Sequence, residues 1–216
     1  MLAATKEAPA SVGRPNGLWL MSEMDSEEGV LQGIVDVFIA ASLGHCPIGG
    51  GSSGNSDGSE PGRKVCHMGA FSNSWVLVVM HSTANITGDF GNGHTPTKVK
   101  GIVTQSLGRH IIEIDGRPAS EVYSEWTGGV LDGVSTGTPV LDRVALMPLG
   151  RIKMFSPSGD PEHLLLTPLF ITEEKGLHVL AEVHEGEQVF LMKGNRDTMV
   201  GDLKTMARKM LGTGES

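Results

Sequence analysis

The stretch that decides the fold reads His110-Ile-Ile-Glu-Ile-Asp-Gly-Arg-Pro-Ala-Ser-Glu-Val-Tyr-Ser-Glu-Trp126. In an extended chain Ile111, Glu113 and Asp115 would alternate with Ile112 and Ile114, the period of two that is expected of a β-strand. Asp115 and Gly116 predict that the strand ends in a tight turn, because glycine readily adopts the positive φ that such a turn requires. Pro118 suits the first turn of a helix, where its missing N–H is not needed. The apolar residues that follow have helical spacing: Ala119, Val122, Tyr123 and Trp126. The stretch therefore predicts a strand, a corner and a short amphipathic helix.

The residue order EIDGRPASEVY, at residues 113–123, closely resembles the signature of the FIST domain. This domain is a sensory module of bacterial signalling proteins and of eukaryotic F-box proteins in ubiquitin ligases. Three other stretches agree with the family: the glycine-rich run Pro47–Gly54, the strand Trp75–Met80, and the strand, turn and strand of Leu180–Gly194. The resemblance runs from roughly Gly29 to Leu211. It implies a domain that senses a ligand and passes its occupancy to a partner.

The resemblance also sets expectations for the ends of the chain. The family's N-terminal half normally begins well before its glycine-rich run, and its C-terminal half continues past the last helix. We therefore expect a fragment. Residues 1–26 are predicted to be weakly ordered, residues 27–92 to be a remnant of the FIST N-terminal half, and residues 93–216 to be a FIST C-terminal half truncated at its end. Leu18–Met21 is interpreted as a remnant strand whose sheet partners lie upstream.

Periodicity in the rest of the chain predicts an α+β fold of mixed or antiparallel sheets with packed helices, in two linked halves. One helix is predicted over Glu27–Leu43 and another from about Asp197, each with an apolar face. Strands are predicted over Val65–Phe71, Trp75–Met80, Lys100–Gln105, Leu164–Thr172, Leu177–Val183 and Gln188–Met192. The glycine-rich segments Gly49–Gly62 and Gly128–Gly137 are predicted to be loops, and Phe90–Lys98 a linker.

Composition narrows the classes of function. The formal net charge of -8 and the pI near 5.4 disfavour the basic surface that nucleic acid requires. The chain has only 2 cysteines, too few for a disulfide framework, and its apolar runs are shorter than the ~20 residues that cross a bilayer. We expect a cytoplasmic protein with neither a nucleic-acid nor a membrane partner.

The glycine-rich run contains Gly49-x-Gly51-x-x-Gly54, which matches the dinucleotide-binding pattern as a string. A helix precedes it and a polar loop follows, whereas the pattern needs a strand before it and a helix after it. We favour an interpretation in which main-chain N–H groups of Gly50, Gly51 and Ser52 face a small polar or anionic ligand without hindrance from side chains. The alternative is a flexible surface loop.

These observations define a predicted ligand site between the two halves, comprising Gly49, Gly50, Gly51, Ser52, Ser53, Asp115 and Gly116. Asp115 ends a strand just before a helix, where open sheets often place ligand contacts. The alternative, favoured by the turn preferences of aspartate, is that Asp115 caps the helix or bonds turn amides. Cys46 and Cys66, beside His45 and His67, lack the spacing of a metal site, so neither a metal nor another cofactor is expected.

The function that the resemblance implies is intracellular sensing of a small molecule, in signal transduction or in regulation linked to ubiquitin ligases. An amino acid or a related metabolite is the implied ligand, and a ubiquitin-ligase or signalling protein the implied partner. No catalytic motif is present, so an enzyme is not expected. Two alternatives stay open. A substrate adaptor of an F-box protein predicts an exposed apolar patch instead of a polar pocket, and an enzyme acting on a small polar metabolite would not return the bound compound unchanged.

Overall fold

The computed structural model describes residues 14–23, 26–41, 46–53, 63–66, 69–88, 91–155 and 161–211. The chain divides into two compact units, a first unit Met1–Asp89 and a second unit Phe90–Ser216. Each unit contains helix and sheet. The predicted α+β class is therefore confirmed.

The first unit is built on a three-stranded sheet. Its elements in chain order are β1 (Gly17–Glu23), α1 (Glu27–Ala40), β2 (Ile48–Ser53), β3 (Lys64–Cys66), β4 (Gly69–Phe71) and β5 (Val76–Met80). β1 lies in the centre, parallel to β2 and antiparallel to β5, while β3 and β4 pair separately. Leu18 and Leu20 are buried and Trp19 between them is half exposed, because successive side chains of a strand point to opposite faces.

The structure corrects three predictions for this unit. Leu18–Met21 belongs to strand β1, although residues 1–26 are predicted to be weakly ordered. Both strands that pair with β1 follow it in the sequence. The predicted loop Gly49–Gly62 begins as strand β2, and residues 54–62 lie outside the described residues. Val65–Phe71 forms two strands instead of one. A strand such as β2 has no apolar alternation to reveal it, since backbone pairing needs no side chains.

The second unit contains a larger antiparallel sheet. Its elements are β6 (His94–Leu107), β7 (His110–Ile114), β8 (Arg117–Pro118), α2 (Ala119–Trp126), α3 (Leu141–Val144), β9 (Leu149–Phe155), β10 (Pro161–Leu166), β11 (Pro168–Ile171), β12 (Leu177–Val179), β13 (Gln188–Gly194) and α4 (Arg196–Met210). The strand order is β10-β9-β13-β6-β7-β12-β11, with β8 paired to β7. The long strand β6 pairs with β13 on one side and with β7 on the other.

Several boundaries in this unit differ from the predictions. The predicted linker Phe90–Lys98 is partly strand, since β6 begins at His94. Leu164–Thr172 is interrupted at Thr167 and divides between β10 and β11, and the strand predicted over Leu177–Val183 ends at Val179. β9 and α3 are absent from the predictions. Their sequence has no clear alternation, and tertiary packing decides their conformation.

The corner after β7 has the predicted conformation. Asp115 has φ 52° and Gly116 φ 73°, and positive φ at both central residues is the arrangement of a tight type I′ hairpin turn between β7 and β8. Helix α2 then begins at Ala119. Pro118 lies just before it as the N-cap residue, with φ -50° and ψ 126°, and not in the first turn as predicted.

The core of the second unit lies between α2 and the sheet. Ala119, Val122 and Tyr123 are buried on the inner face of α2, against strand residues such as Ile111 and Leu177. The opposite face of α2 carries two exposed glutamates and a partly buried serine. The amphipathic pattern of α2 therefore fixes which of its faces can bind a ligand.

Candidate functional site

The predicted glycine-rich part of the site lies on the edge strand β2 of the first unit. Gly49, Gly50, Gly51 and Ser52 are all exposed. Gly50 has φ 148°, and a methyl group there would lie 1.8 Å from the carbonyl oxygen of Leu20. Close packing of β2 against β1 therefore requires a glycine at this position, whether or not a ligand is bound.

The predicted acidic part of the site lies at the corner in the second unit. The Asp115 carboxylate accepts the backbone N–H of Ile102 at 2.9 Å, and the Asp115 N–H donates to the Ile102 carbonyl at 2.9 Å. The Gly116 N–H donates to the Thr104 hydroxyl at 2.9 Å. Asp115 thus has a structural role, since it bonds the backbone of β6. This role differs from the predicted alternative of a helix cap or a bond to turn amides, because α2 has no side-chain cap hydrogen bond.

The two parts of the predicted site belong to different units. Gly49–Ser53 is in the first unit, and Asp115 and Gly116 are in the second. Each part has a structural explanation of its own. A ligand that joins them stays a prediction.

A cleft in the second unit, on the exposed face of α2, has the features of a binding site. Its volume is about 680 Å³, within the range of roughly 300–1,000 Å³ common for small-molecule sites. Helix α2 forms one wall, the loop 128–136 another, and Ile171 and Lys175 close it from β11 and the turn that follows. We call it the α2 cleft. Its charged and hydroxyl lining residues are Arg117, Ser120, Glu121, Ser124, Glu125, Asp132, Thr136 and Lys175.

Lys175 is tied to the start of α2 by both its backbone and its side chain. Its carbonyl accepts the Ser120 backbone N–H at 3.0 Å and the Ser120 hydroxyl at 2.6 Å. These bonds satisfy a helix N–H that has no partner within the helix. The Lys175 ammonium donates to the Glu121 carboxylate at 2.9 Å. Lys175 adopts φ 57°, so its turn holds the side chain at the rim of the cleft.

The other charged groups of the cleft are also paired or bonded. Arg117 and Glu125 form an ion pair at 2.9 Å. The Ser124 hydroxyl donates to the Asp132 carboxylate at 2.8 Å. The Gly129 N–H donates to the Ser124 carbonyl at 2.7 Å, which turns the loop back toward the helix. Cationic and anionic groups therefore lie side by side around one concave surface.

The interaction between Glu121 and Lys175 favours the charged form of each residue. The hydrogen bond from Lys175 lowers the pKa of Glu121, and the charges of Lys175 and Arg117 lower it further. The same hydrogen bond and the charge of Glu121 raise the pKa of Lys175. Two cations and three carboxylates line the cleft, an arrangement suited to a ligand that carries both signs of charge. No group of three or more metal-ligating side chains occurs among the described residues.

The sequence contains part of the signal for this cleft. Glu121 and Glu125 are four positions apart, which places them on one face of α2, opposite the apolar face, while Arg117 precedes the helix in β8. Lys175 has no such signal. It lies 54 positions from Glu121, and only the pairing of β12 with β7 brings its turn to the helix.

Comparison with known protein families assigns this chain to the class of sensory domains of signal transduction. The FIST N domain model matches residues 3–117 and the FIST C domain model residues 119–215, so the chain belongs to the FIST family. The two matches meet at Pro118, and the N-domain match therefore extends into the second unit as far as β8. The division predicted at residues 92 and 93 stays a prediction.

No curated protein and no solved structure matches the chain.

Within the described residues, no helix has both the length and the apolar character that crossing a membrane requires.

Proposed function

We propose that this chain senses a small polar metabolite, an amino acid or a related compound, in the α2 cleft. The observation that carries the proposal is the placement of paired cations and carboxylates around one cleft of about 680 Å³ in a member of a sensory family. An amino acid carries a carboxylate and an ammonium group. The first is complementary to Arg117 and Lys175, and the second to Glu121, Glu125 and Asp132.

The exposure of the cleft makes ligand exchange feasible. Lys175 and Glu121 are both well exposed, as are Arg117 and Glu125. Exposed ion pairs contribute little to stability, so a ligand can replace one partner at small cost. The carboxylate of Asp132 is bonded to a neutral hydroxyl, and an ammonium group would be a stronger partner for it.

A thermal-shift screen of amino acids and related metabolites tests the proposal. A compound that binds only the folded chain raises the melting temperature. Lys175→Gln and Asp132→Asn should abolish that rise and leave the melting temperature of the unliganded chain nearly unchanged, because both side chains are exposed. Lys98→Gln is the matched control, since Lys98 is exposed on β6 and does not line the cleft.

Two results would contradict the proposal. One is a screen in which no compound of this class raises the melting temperature. The other is a ligand whose effect survives both cleft substitutions, or is lost equally in the control. The enzyme alternative is tested with the same hits, because a sensor releases its ligand unchanged and an enzyme releases a product.

A second candidate function is protein interaction, with this domain as the substrate adaptor of an F-box protein or as part of a signalling assembly. The observation that favours it is an exposed apolar side of α1 in the first unit, where Leu31, Val35 and Ile39, spaced four positions apart, are 38, 41 and 70% exposed. Contiguous exposed apolar surface commonly marks an interaction site. Val35→Asp with Ile39→Asp should abolish capture of a ubiquitin-ligase subunit, and retained capture would argue against this function.

A further inference from the structure

The charged side chains that line the α2 cleft leave one negative charge in excess. Two cations and three carboxylates line the cleft. Each cation forms an ion pair with one of the two glutamates, at 2.9 Å in both cases. The third carboxylate is that of Asp132, which accepts a hydrogen bond from the neutral hydroxyl of Ser124. Asp132 is therefore the carboxylate whose charge the lining does not offset.

The two segments that meet α2 at the cleft supply no further cation. Asp132 is the one charged residue of the segment 127–140, and the turn 172–176 contains Glu173 and Glu174 besides Lys175. Both glutamates are exposed and lie outside the lining of the cleft. They add to the negative charge around it. A ligand with a cationic group beyond its α-ammonium is therefore complementary to this surface.

Two serines on α2 hold the two sides of the cleft one helical turn apart. The Ser120 hydroxyl donates to the Lys175 carbonyl at 2.6 Å, and the Ser124 hydroxyl donates to the Asp132 carboxylate at 2.8 Å. An α-helix rises about 1.5 Å per residue, so these two attachments lie about 6 Å apart along the helix. The spacing between Lys175 and Asp132 is therefore set by four residues of α2.

The α2 cleft also has an apolar part. Leu131 and Ile171 belong to the core of the second unit and line the cleft, and Val134 packs against the same core and lines it too. A long aliphatic chain can lie on such a surface while the charged group at its end contacts polar atoms, as lysine side chains do on protein surfaces. The lining therefore accepts methylene groups between two charged ends.

We propose that the α2 cleft binds a dibasic amino acid, with a cation at the end of an unbranched side chain about as long as that of lysine. This inference rests on the proposed function of the cleft. The α-carboxylate binds on the side of Lys175, and the side-chain cation binds Asp132. An extended chain advances about 1.2 Å per bond, because the three backbone bonds of a residue span roughly 3.6 Å. The five bonds from Cα to the ammonium nitrogen of lysine therefore cover about 6 Å, which matches one helical turn.

Isothermal titration calorimetry of the whole chain with free lysine and free norleucine tests the inference. Norleucine has the same unbranched carbon chain without the terminal ammonium. Lysine should bind roughly five- to tenfold more tightly, because its ammonium gains a charge-assisted hydrogen bond at an exposed carboxylate. Diaminobutyrate has the same charges as lysine but is two methylenes shorter, so its side-chain ammonium reaches only about 3.6 Å from Cα. It should lose most of the gain.

One substitution in the cleft should remove the preference for lysine. Asp132→Asn removes the excess charge, and asparagine keeps an oxygen that accepts the Ser124 hydroxyl. Lysine and norleucine should then bind with nearly equal affinity. Asp142→Asn is the matched control, because Asp142 is exposed on α3 in the same unit and does not line the cleft. It should keep the preference unchanged.

The outcomes separate this inference from the proposed function. Norleucine or diaminobutyrate binding as tightly as lysine would overturn the inference, and the sensing of amino acids would still stand. A preference for lysine that survives Asp132→Asn, or that is lost equally in Asp142→Asn, would overturn it as well. If no amino acid binds the chain, the proposed function fails and the inference fails with it.

Discussion

Replacing Tyr123 by phenylalanine removes one buried hydroxyl and leaves the ring that fills the core. Tyr123 is 0% exposed, and its hydroxyl donates to the Met147 carbonyl at 2.7 Å. This bond ties α2, one wall of the α2 cleft, to the segment that leads into β9. Tyr123→Phe therefore tests how firmly the cleft is anchored to the core.

The magnitude follows from what each partner loses. A buried acceptor left without its donor costs about 1–3 kcal/mol. The Met147 residue is only partly buried, so water can reach its carbonyl, and the loss should fall in the lower half, about 1–2 kcal/mol. Removing the ring as well, in Tyr123→Ala, should cost about 3–5 kcal/mol. The ring therefore contributes more than the hydroxyl.

Urea unfolding followed by the fluorescence of Trp126 measures these losses in the second unit. Trp126 packs against the core there, and Trp19 and Trp75 in the first unit are replaced by phenylalanine so that one reporter remains. With a urea slope of about 2 kcal/mol per M, the midpoint for Tyr123→Phe should fall by roughly 0.5–1 M. An unchanged midpoint, or a loss as large as that of Tyr123→Ala, would refute the reasoning.

The same hydroxyl makes a prediction for alkaline pH. Burial raises the pKa of Tyr123 above its ordinary value, and the chain has only 1 tyrosine, so phenolate absorbance reports this group alone. A folded pKa above the unfolded value of ~10 means that the stabilisation is complete below pH ~10 and is lost as the pH rises above it. Tyr123→Phe should remove this loss. Titration of the folded chain at the ordinary pKa would contradict burial of the hydroxyl.

Three further predictions concern single positions in the two units. Gly50→Ala should lower the free energy of unfolding of the first unit, measured in urea, by roughly 3 kcal/mol or more, because its methyl group would overlap the Leu20 carbonyl. Gly51→Ala should be nearly neutral, because a methyl group there meets nothing within 4 Å. Equal effects of the two substitutions would count against the pairing of β2 with β1. Gly116→Val should cost about 1–3 kcal/mol in the same unfolding assay, since φ 73° strains a branched side chain, and a neutral result would exclude the turn. Burial lowers the pKa of His163, and this effect exceeds that of a backbone hydrogen bond, which raises the pKa. The stability that His163 contributes is therefore complete above pH ~6.5 and is lost as the pH falls. His163→Gln should reduce the change of the urea midpoint between pH 7 and 5, and an unchanged pH dependence would refute this.

Local chemistry in the sequence determined the corner and helix of the second unit. Asp115 and Gly116 tolerate positive φ, and the apolar spacing of α2 selects its buried face, so the strand, the corner and the helix form as their own pattern predicts, with Pro118 just before the helix. The family is likewise visible in this stretch and agrees with the matched models. Such features depend on neighbours within a few positions, which a sequence displays directly.

Only the tertiary structure determines which group the glycine-rich run contacts and which residues line the α2 cleft. The glycines of this run predict a close approach of the backbone to another group. At Gly50 that group is the Leu20 carbonyl, in a strand 30 positions earlier. Lys175 meets Glu121 across 54 positions because β12 pairs with β7. Contacts of this kind arise from which strands share a sheet, and strand pairing depends on the free energy of the whole core and not on local periodicity.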